Sequence, residues 1–348
     1  MIQVIKQWCQ RHFYNPEVAT LWLTLLGIIL LFIVMGHVLT PLFVSIVIAY
    51  LLDGLVGRLV RWRCPHVLSV SLVCLLFLGL LIIALLVILP LLWQQLSNLL
   101  NELPNMLSKG EVLLMQLPQH YPEYISAAQI SSIIAELNVD FARFGKVALG
   151  FAVSSIPGIM EIIIYFVLIP ILVFFLLKDR DDVLTWGSRF LPKKRRLVVQ
   201  VWGEVNTQIG NYIRGRIVEI IIVSMISAIT FGIMGLRYAL LLGALVGVSV
   251  IVPYIGAIIA TVPIVILAIL QWGLSAHFVY LLIAYAVIIA LDANLLVPLL
   301  FSETMNIHPL AIIMAVVIFG GLLGFWGVFF AIPLATVVNA ILKAVPGE

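Results

Sequence analysis

The chain has 348 residues, of which 64% are hydrophobic and only 10% are charged, and its formal net charge is +3. Soluble proteins are about 25% charged, so this composition excludes an ordinary soluble domain and predicts an all-α polytopic membrane protein. The three cysteines have no CxxC spacing, which gives no basis for a zinc site or a disulfide framework. Because phosphate-loop, dinucleotide-binding and zinc-protease motifs are also absent from the sequence, we expect no enzyme and no cofactor.

The first region, residues 1–92, predicts three membrane-spanning helices. Apolar runs cover residues 19–35, 42–56 and 67–92, and each approaches or exceeds the ~20 residues that a crossing needs. Gly36 and Pro41 lie between the first two runs. We predict a tight return there, because glycine permits chain reversal and proline interrupts helices.

Residues 93–155 form a second, less apolar region that we predict to face outward. Its apolar residues recur at helical spacing, and they are Trp93, Leu96, Leu99, Leu100, Leu103, Met106 and Leu107. This pattern predicts amphipathic helices in an outer loop, which lie either at the membrane interface or against a neighbouring subunit.

Residues 156–216 form a third region, with a helix over 156–177 and a basic connector over 178–216. The connector contains nine lysine or arginine residues, and such residues concentrate on the cytoplasmic side of membrane proteins. We therefore predict that the connector and both chain termini are cytoplasmic. Its basic cluster at 193–196 either anchors this topology or holds anionic lipid headgroups.

Residues 217–348 form the predicted transport core. From Tyr238 to Leu342 the chain has no lysine or arginine and only two carboxylates, Asp292 and Glu303. After a helix over 217–236, the segments 239–271 and 309–342 are each too long for one crossing and too short for two. We predict that both are broken helical hairpins, separated by a crossing helix over 274–297, in a fold of about six full transmembrane helices.

The two predicted hairpins enter the membrane from opposite sides. The first turns at residues 252–256 and the second at residues 320–327. The segments after the turns are alike, with GAIIATVP from Gly256 and GVFFAIP from Gly327. Hairpins of opposite orientation are typical of secondary transporters that are built from inverted repeats.

Asp292 is the sharpest candidate for a transport site. It lies inside the apolar run 281–300, with Asn294 two residues further on, and a carboxylate at this depth costs about 2.5–3.5 kcal/mol. Such residues bind a proton, a cation or a polar substrate. A structural ion pair is the alternative, and three arginines are candidate partners: Arg214, Arg216 and Arg237.

Further polar candidates come from three places. Glu219 is either a second carboxylate of the path or a stabilising charge at the N-terminus of its helix. Gln208, Asn211 and Arg214 share one helical face, which belongs either to the path or to a solvated connector. The remaining path candidates flank irregular backbone, and they are Pro253, Tyr254, Gly256, Asn306 and His308. The predicted hinges of the second hairpin are Gly320, Gly321, Gly324, Gly327 and Pro333.

Motifs along nearly the whole chain resemble one known family. They are YFVLIPILVFFLLKD from Tyr165, QIGNYIRGRIVE from Gln208, VPYIG from Val252, DAN from Asp292 and NIHPL from Asn306, followed by the glycines of 320–327. Together they resemble the autoinducer-2 exporter family, also called the PerM-type permeases. Arg216 is a departure, since glutamine is more usual there in the family.

The resemblance implies a bacterial inner-membrane transporter that has no nucleotide-binding domain and forms homo-oligomers, reported in the family as pentamers. We expect a gradient-driven exporter of a small polar metabolite or signalling molecule. The alternatives are a monovalent cation–proton antiporter and a non-transporting membrane scaffold. The expected partners are the lipid bilayer, a small polar solute, H⁺ or Na⁺, and further copies of the chain, with no nucleic acid.

Overall fold

The computed structural model describes residues 16–120, 131–132, 135, 156–189, 196–253, 255–301 and 308–344. Every regular element in these ranges is helical, which confirms the predicted fold class. In chain order the helices are α1 (Pro16–Arg61), α2 (His66–Ile83), α3 (Leu89–His120), α4 (Ile156–Lys178), α5 (Arg180–Ser188), α6 (Arg196–Ile233), α7 (Ala239–Ser249), α8 (Ile255–Trp272), α9 (Ala276–Leu291), α10 (Val297–Phe301), α11 (Pro309–Phe329) and α12 (Ala331–Ala344). Wider π-helical turns join α2 to α3 and α9 to α10.

Six helical stretches within the described ranges are long and apolar enough to cross a membrane. They are Val38–Arg61, His66–Glu102, Asn206–Ile233, Ile255–Trp272, Ala276–Phe301 and Leu310–Phe329. This finding confirms a multi-pass membrane protein. The fourth and sixth stretches belong to the segments predicted as hairpins, and Gly324 interrupts the sixth.

The turn predicted around residues 36–41 is wrong, because α1 runs through it as one helix of 46 residues. Pro41 lies inside α1, and the Ser45 hydroxyl donates a hydrogen bond of 2.6 Å to its carbonyl oxygen. Membrane helices tolerate proline where side chains and neighbouring helices satisfy the backbone. The predicted cytoplasmic N-terminus depended on that turn. Lys6 and Arg11, the two basic residues that precede α1, lie outside the described residues.

Helices α2 and α3 form one continuous helical segment. The boundary that was predicted at Trp93 is therefore absent. The π-helical turn Ala84–Ile88 joins them without a break. Residues 93–120 are helical, as expected. Met106 is buried in the main apolar core, and Leu99 packs against it, so this part of α3 packs on the protein itself. Most of the predicted outer region beyond residue 120 lies outside the described residues.

Helix α6 begins at Arg196 and continues for 38 residues, so the predicted helix start at residue 217 is wrong. Gln208, Asn211 and Arg214 therefore lie on the same helix as Glu219. Since Glu219 is in the interior of α6, its suggested role at a helix N-terminus is also wrong. In the sequence, Arg214 and Arg216 indicate the end of a membrane-spanning segment. In the structure both side chains have partners on α6 itself, Asn211 and Glu219.

Helices α6 and α7 approach each other closely along a stripe of small residues. A methyl group added at Gly247 would lie 1.8 Å from the Ser224 hydroxyl oxygen, and one at Gly243 would lie 2.5 Å from the backbone nitrogen of Ala228. Small residues spaced four apart let membrane helices pack backbone to backbone. This contact fixes α7 against the centre of the protein.

The chain reverses direction between α7 and α8, at the turn predicted around Pro253. A methyl group added at Gly256 would lie 1.7 Å from the carbonyl oxygen of Ser249. In a straight helix two residues seven positions apart are separated by about 10 Å along the axis. The Gln271 side chain, near the end of α8, donates to the Gly235 carbonyl oxygen at 2.7 Å, so the segment ends beside its own start. Its entry into a bilayer stays a prediction.

A second reversal lies between the two halves of the segment 309–344. Gly324 interrupts α11 with φ 60° and ψ −138°, a conformation that favours glycine. A methyl group added at Gly327 would lie 1.8 Å from the carbonyl oxygen of Phe319. Gly327 therefore has the same kind of backbone contact as Gly256. Pro333 is buried in the first turn of α12, where a backbone N–H has no helical partner to lose.

Candidate functional site

A buried ion pair lies in the middle of α6. The Arg216 Nη1 atom is 2.9 Å from the Glu219 Oε2 atom, and the two side chains are only 6% and 2% exposed. Both residues lie near the centre of the membrane-spanning stretch Asn206–Ile233. Charges at this depth are costly and in most cases line a substrate or ion path. The pair is therefore the first candidate for the centre of a functional site.

Arg216 also holds the first chain reversal. Its Nη1 atom donates a 2.7 Å hydrogen bond to the carbonyl oxygen of Val250, at the C-terminal end of α7. The last carbonyls of a helix have no helical partner and carry partial negative charge. The guanidinium lies 5.3 Å from the ring centre of Tyr212 and 5.2 Å from that of Phe301, within the range of a cation–π contact.

Tyr212 holds the second reversal in the same way. Its hydroxyl donates a 2.9 Å hydrogen bond to the carbonyl oxygen of Phe329, at the end of α11. Tyr212 and Arg216 are four residues apart and so lie on one face of α6. One turn of α6 therefore contacts both breaks in the helical chain.

Replacing Tyr212 by phenylalanine tests the weaker of these two anchors. The variant keeps the ring but leaves the buried Phe329 carbonyl without its donor. We expect a loss of about 1–3 kcal/mol in the free energy of unfolding, measured by denaturant unfolding in detergent. Tyr280 is exposed, so the same change there is the control and should alter stability by less than about 0.5 kcal/mol. Equal effects of the two variants would contradict a role for the Tyr212 hydroxyl.

Gly215 allows α10 to lie directly on α6. A methyl group at this position would lie 2.8 Å from the Phe301 ring and 3.3 Å from the carbonyl oxygen of Leu300. The close approach brings the Phe301 ring over Arg216. It also places the π-helical turn that precedes α10 near the ion pair.

Asp292 begins that π-helical turn, Asp292–Leu296. Its carboxylate interacts electrostatically with Arg216 and with Glu219. The Asp292 Oδ1 atom is buried and has no hydrogen-bond partner in the described part of the chain. Turns of this type occur frequently at functional sites. Arg216 forms its ion pair with Glu219. The alternative role of Asp292, a structural ion pair with an arginine, is therefore present only as a longer-range attraction to Arg216.

The other predicted residues lie around this centre in different ways. Arg214 donates from Nη2 to the Asn211 Oδ1 atom at 3.2 Å, and both residues precede the ion pair on α6. Gln208 is two turns away from Arg216 on the same helix. The Asn294 side chain donates to the carbonyl oxygen of Ala290 at 2.8 Å. His308 accepts a hydrogen bond from the Leu310 backbone at 3.2 Å and so caps α11. Tyr254 and Asn306 lie outside the described residues.

Sequence reasoning missed Tyr212 and Phe301 as members of the site, and it identified Arg216 only as a possible partner of Asp292. The spacing of Tyr212, Arg216 and Glu219, at four and then three residues, is the signal that could have joined them. The predicted helix start at residue 217 separated Arg216 from Glu219, whereas α6 carries all three residues. Nothing near Phe301 in the sequence indicates its contact with α6.

A separate polar cluster lies where α3 meets the start of α7. The Glu102 Oε2 atom accepts hydrogen bonds from Arg237 at 3.1 Å and from the Tyr238 hydroxyl at 2.7 Å. Burial and this bond raise the pKa of Tyr238 to about 12, so the tyrosine stays protonated at neutral pH. Gln95 accepts from the backbone nitrogen of Leu241 at 2.9 Å in the first turn of α7. These contacts hold α3 against the entrance to the first reversal.

The side chains of the central site can by themselves bind and release protons. Within the described ranges, no three His, Cys, Asp or Glu side chains come together as metal ligands. The central site instead combines one permanent cation with two carboxylates that can each take up a proton. Backbone carbonyls from both chain reversals surround the same turn of α6.

Comparisons with known proteins identify the family of the chain. A family model described as AI-2E family transporter matches residues 21–347. The chain is 43% identical to "Putative permease PerM" of Escherichia coli K12, over 99% of this chain and 98% of that protein. It is 28% identical to "Putative transport protein YrrI" of Bacillus subtilis 168, over 89% and 87%, and 22% identical to "AI-2 transport protein TqsA" of Escherichia coli K12, over 90% and 87%. The chain therefore belongs to the AI-2E transporter family, a family of membrane transport proteins.

Proposed function

We propose that the protein is a secondary transporter of the bacterial inner membrane, which uses an ion gradient to export a small polar metabolite or signalling molecule. One observation carries this proposal: two breaks in the helical chain meet at one turn of α6, beside the Arg216–Glu219 pair and Asp292. Broken helices and charges at membrane depth mark the substrate and ion sites of secondary transporters.

The two reversals act as separate gates in this proposal. Each is held to α6 by one hydrogen bond, from Arg216 to the Val250 carbonyl and from Tyr212 to the Phe329 carbonyl. Because the bonds are independent, one hairpin can leave α6 while the other stays in place. Alternating access requires such sequential opening around a fixed site. Gly320, Gly321 and Gly324 supply the bending positions of the second gate.

The polar residues around the site form its approach path in this proposal. Gln208, Asn211 and Arg214 line the part of α6 that precedes the ion pair. On the same part of α6, the Asn206 side chain accepts a hydrogen bond from the Tyr50 hydroxyl of α1. Asn294 lies in the π-helical turn before α10, and His308 lies after α10 in the chain. Tyr254 and Asn306 are the further candidates. Pro253 and Gly256 shape the first gate itself.

We place the basic segment 178–216 and the C-terminus in the cytoplasm, following the distribution of lysine and arginine. The outward faces of α2 and α3 carry many exposed apolar side chains, including Leu72, Leu76 and Leu89. Lipid or a further copy of the chain covers such faces in a membrane. A homo-oligomer, a pentamer by family resemblance, is part of this proposal.

Monovalent cation–proton antiport is the second candidate. It is favoured by the electrostatic interaction between two carboxylates, Glu219 and Asp292, since paired acids at membrane depth mark ion and proton paths. A membrane scaffold that binds partners through residues 93–155 is the third. Flux under an imposed gradient excludes the scaffold, and its absence for every solute tested would favour the scaffold over both transporters.

Changing Asp292 to asparagine is expected to remove gradient coupling. The amide has nearly the same shape but cannot take up and release a proton. We expect gradient-driven flux in sealed vesicles to fall by about tenfold or more. The assay follows efflux of autoinducer-2 and a panel of small polar metabolites under an imposed proton gradient.

Asp53→Asn is the matched control for this prediction. Asp53 lies in the C-terminal part of α1. It pairs with Arg180 at 3.3 Å, and both side chains are well exposed. Exposed pairs of this kind contribute little, so flux should stay within about twofold of the wild type. Wild-type flux in Asp292→Asn would remove that residue from the coupling mechanism.

A further inference from the structure

We propose that Arg216 occupies a cation-binding position beside Glu219 and within electrostatic reach of Asp292, so that the site excludes sodium and lithium and couples to protons. The inference rests on the proposed transport function. It decides between the two kinds of coupling ion that the paired carboxylates allow.

The surroundings of Arg216 are those of a bound cation. Its Nη1 atom has two oxygen partners, Glu219 at 2.9 Å and the Val250 carbonyl at 2.7 Å. The faces of Tyr212 and Phe301 lie at 5.3 Å and 5.2 Å. Carboxylate oxygens, helix-end carbonyls and aromatic faces all stabilise positive charge. The residue is 5% exposed, so the position is enclosed and already filled.

The charge at this position is permanent. An arginine guanidinium does not lose its proton in proteins. It contributes one positive charge against the two negative charges of Glu219 and Asp292, which leaves one negative charge when both acids are ionised. A second cation entering here would meet the guanidinium at close range in a region of low dielectric, where repulsion is strong.

A proton can bind where a metal cation cannot. It adds to a carboxylate oxygen, and the Asp292 Oδ1 atom is buried without a hydrogen-bond partner in the described ranges. Uptake of one proton converts the Asp292 carboxylate into a neutral acid and brings the site to zero net charge. Asp292 attracts Arg216 only while it is ionised. Protonation therefore leaves the guanidinium to Glu219 and to the Val250 carbonyl at the first reversal.

Three elements contribute the contacts of Arg216: α6, α7 and the α9–α10 segment. Helix α6 contributes Tyr212 and Glu219, and the α9–α10 segment contributes Asp292 and the Phe301 ring. Helix α7 contributes only the backbone carbonyl of Val250. Within the described part of the chain these are the titratable or charged partners, so Glu219 and Asp292 decide the charge of the site.

Equilibrium binding of ²²Na⁺ to the purified full-length protein at pH 8 tests the inference. We expect no saturable binding to the wild type or to Arg216→Lys, which keeps a positive charge. Arg216→Gln should show saturable ²²Na⁺ binding, with an affinity at least about tenfold above the upper limit that the wild-type measurement sets. Adding Asp292→Asn to Arg216→Gln should abolish that gain. Circular dichroism and gel filtration establish that each variant is folded.

Two results would overturn the inference. One is saturable ²²Na⁺ binding to the wild type that Asp292→Asn removes. The other is a folded Arg216→Gln variant that gains no binding. If Arg216→Gln does not fold, the wild-type measurement decides alone: binding overturns the proposal and its absence supports it.

Vesicle flux separates a failure of this inference from a failure of the proposed function. Solute efflux that a sodium gradient drives, together with sodium binding to the wild type, contradicts the inference and leaves the transporter intact. The absence of any solute flux contradicts the transporter, while the predicted gain of sodium binding in Arg216→Gln would still support a filled cation position.

Discussion

Gly256→Ala and Gly327→Ala are each expected to lower the free energy of unfolding by about 3 kcal/mol. The added methyl group would lie 1.7 Å from the Ser249 carbonyl oxygen in the first variant and 1.8 Å from that of Phe319 in the second. Both neighbours are backbone atoms, so the contact is relieved only if the chain reversal itself opens. Denaturant unfolding in one detergent, followed by circular dichroism, measures the loss.

Gly321→Ala is the matched control for these variants. Gly321 lies in the same segment as Gly327, and an added methyl group meets nothing within 4 Å. We expect its stability to change by less than about 0.5 kcal/mol. If all three alanine variants are equally stable, the close backbone contacts do not exist and the reversals are wrong.

Arg216→Ala is expected to lower the free energy of unfolding by about 3–5 kcal/mol. The change leaves the Glu219 side chain, which is 2% exposed, without a counter-charge. Glu219 then interacts with a second negative charge, the carboxylate of Asp292. It also removes the donor to the Val250 carbonyl. The same unfolding assay measures the effect.

Arg180→Ala and a double variant control this prediction. Arg180 pairs with Asp53, but the two side chains are 50% and 41% exposed, so its loss should cost about 0–1 kcal/mol. Replacing Arg216 and Glu219 together by methionine and leucine removes both buried charges, and much of the lost stability should return. If Arg216→Ala is no more destabilising than Arg180→Ala, the ion pair does not stabilise the centre of the protein.

Backbone breaks and isolated charges were the features that sequence could predict. Proline and glycine at 253–256 and at 320–327 lie where the chain reverses, since these residues have local conformational effects that do not depend on distant contacts. Asp292 could be identified as a candidate because a carboxylate is rare in an apolar run of this length. Its placement in a π-helical turn could not be inferred from spacing.

Features that depend on partners from other helices could not be predicted. Pro41 indicated a turn, but α1 continues through it because its surroundings satisfy the backbone. Arg214 and Arg216 indicated a membrane boundary, but Arg216 is buried with Glu219 and the Val250 carbonyl. The ion-pair partner Glu219 is only three residues away, but the Val250 carbonyl, which accepts the second hydrogen bond of Arg216, lies 34 positions further along the chain.

Both reversals are held by the same turn of α6, and this is the central claim. A cryo-electron microscopy map of the full-length protein in a lipid nanodisc tests it most directly. The account predicts that both reversals lie at bilayer depth, with Arg216 contacting the Val250 carbonyl and Tyr212 contacting the Phe329 carbonyl. Two unbroken helices over residues 239–272 and 309–344, or reversals that lie at the membrane surface away from α6, would contradict it.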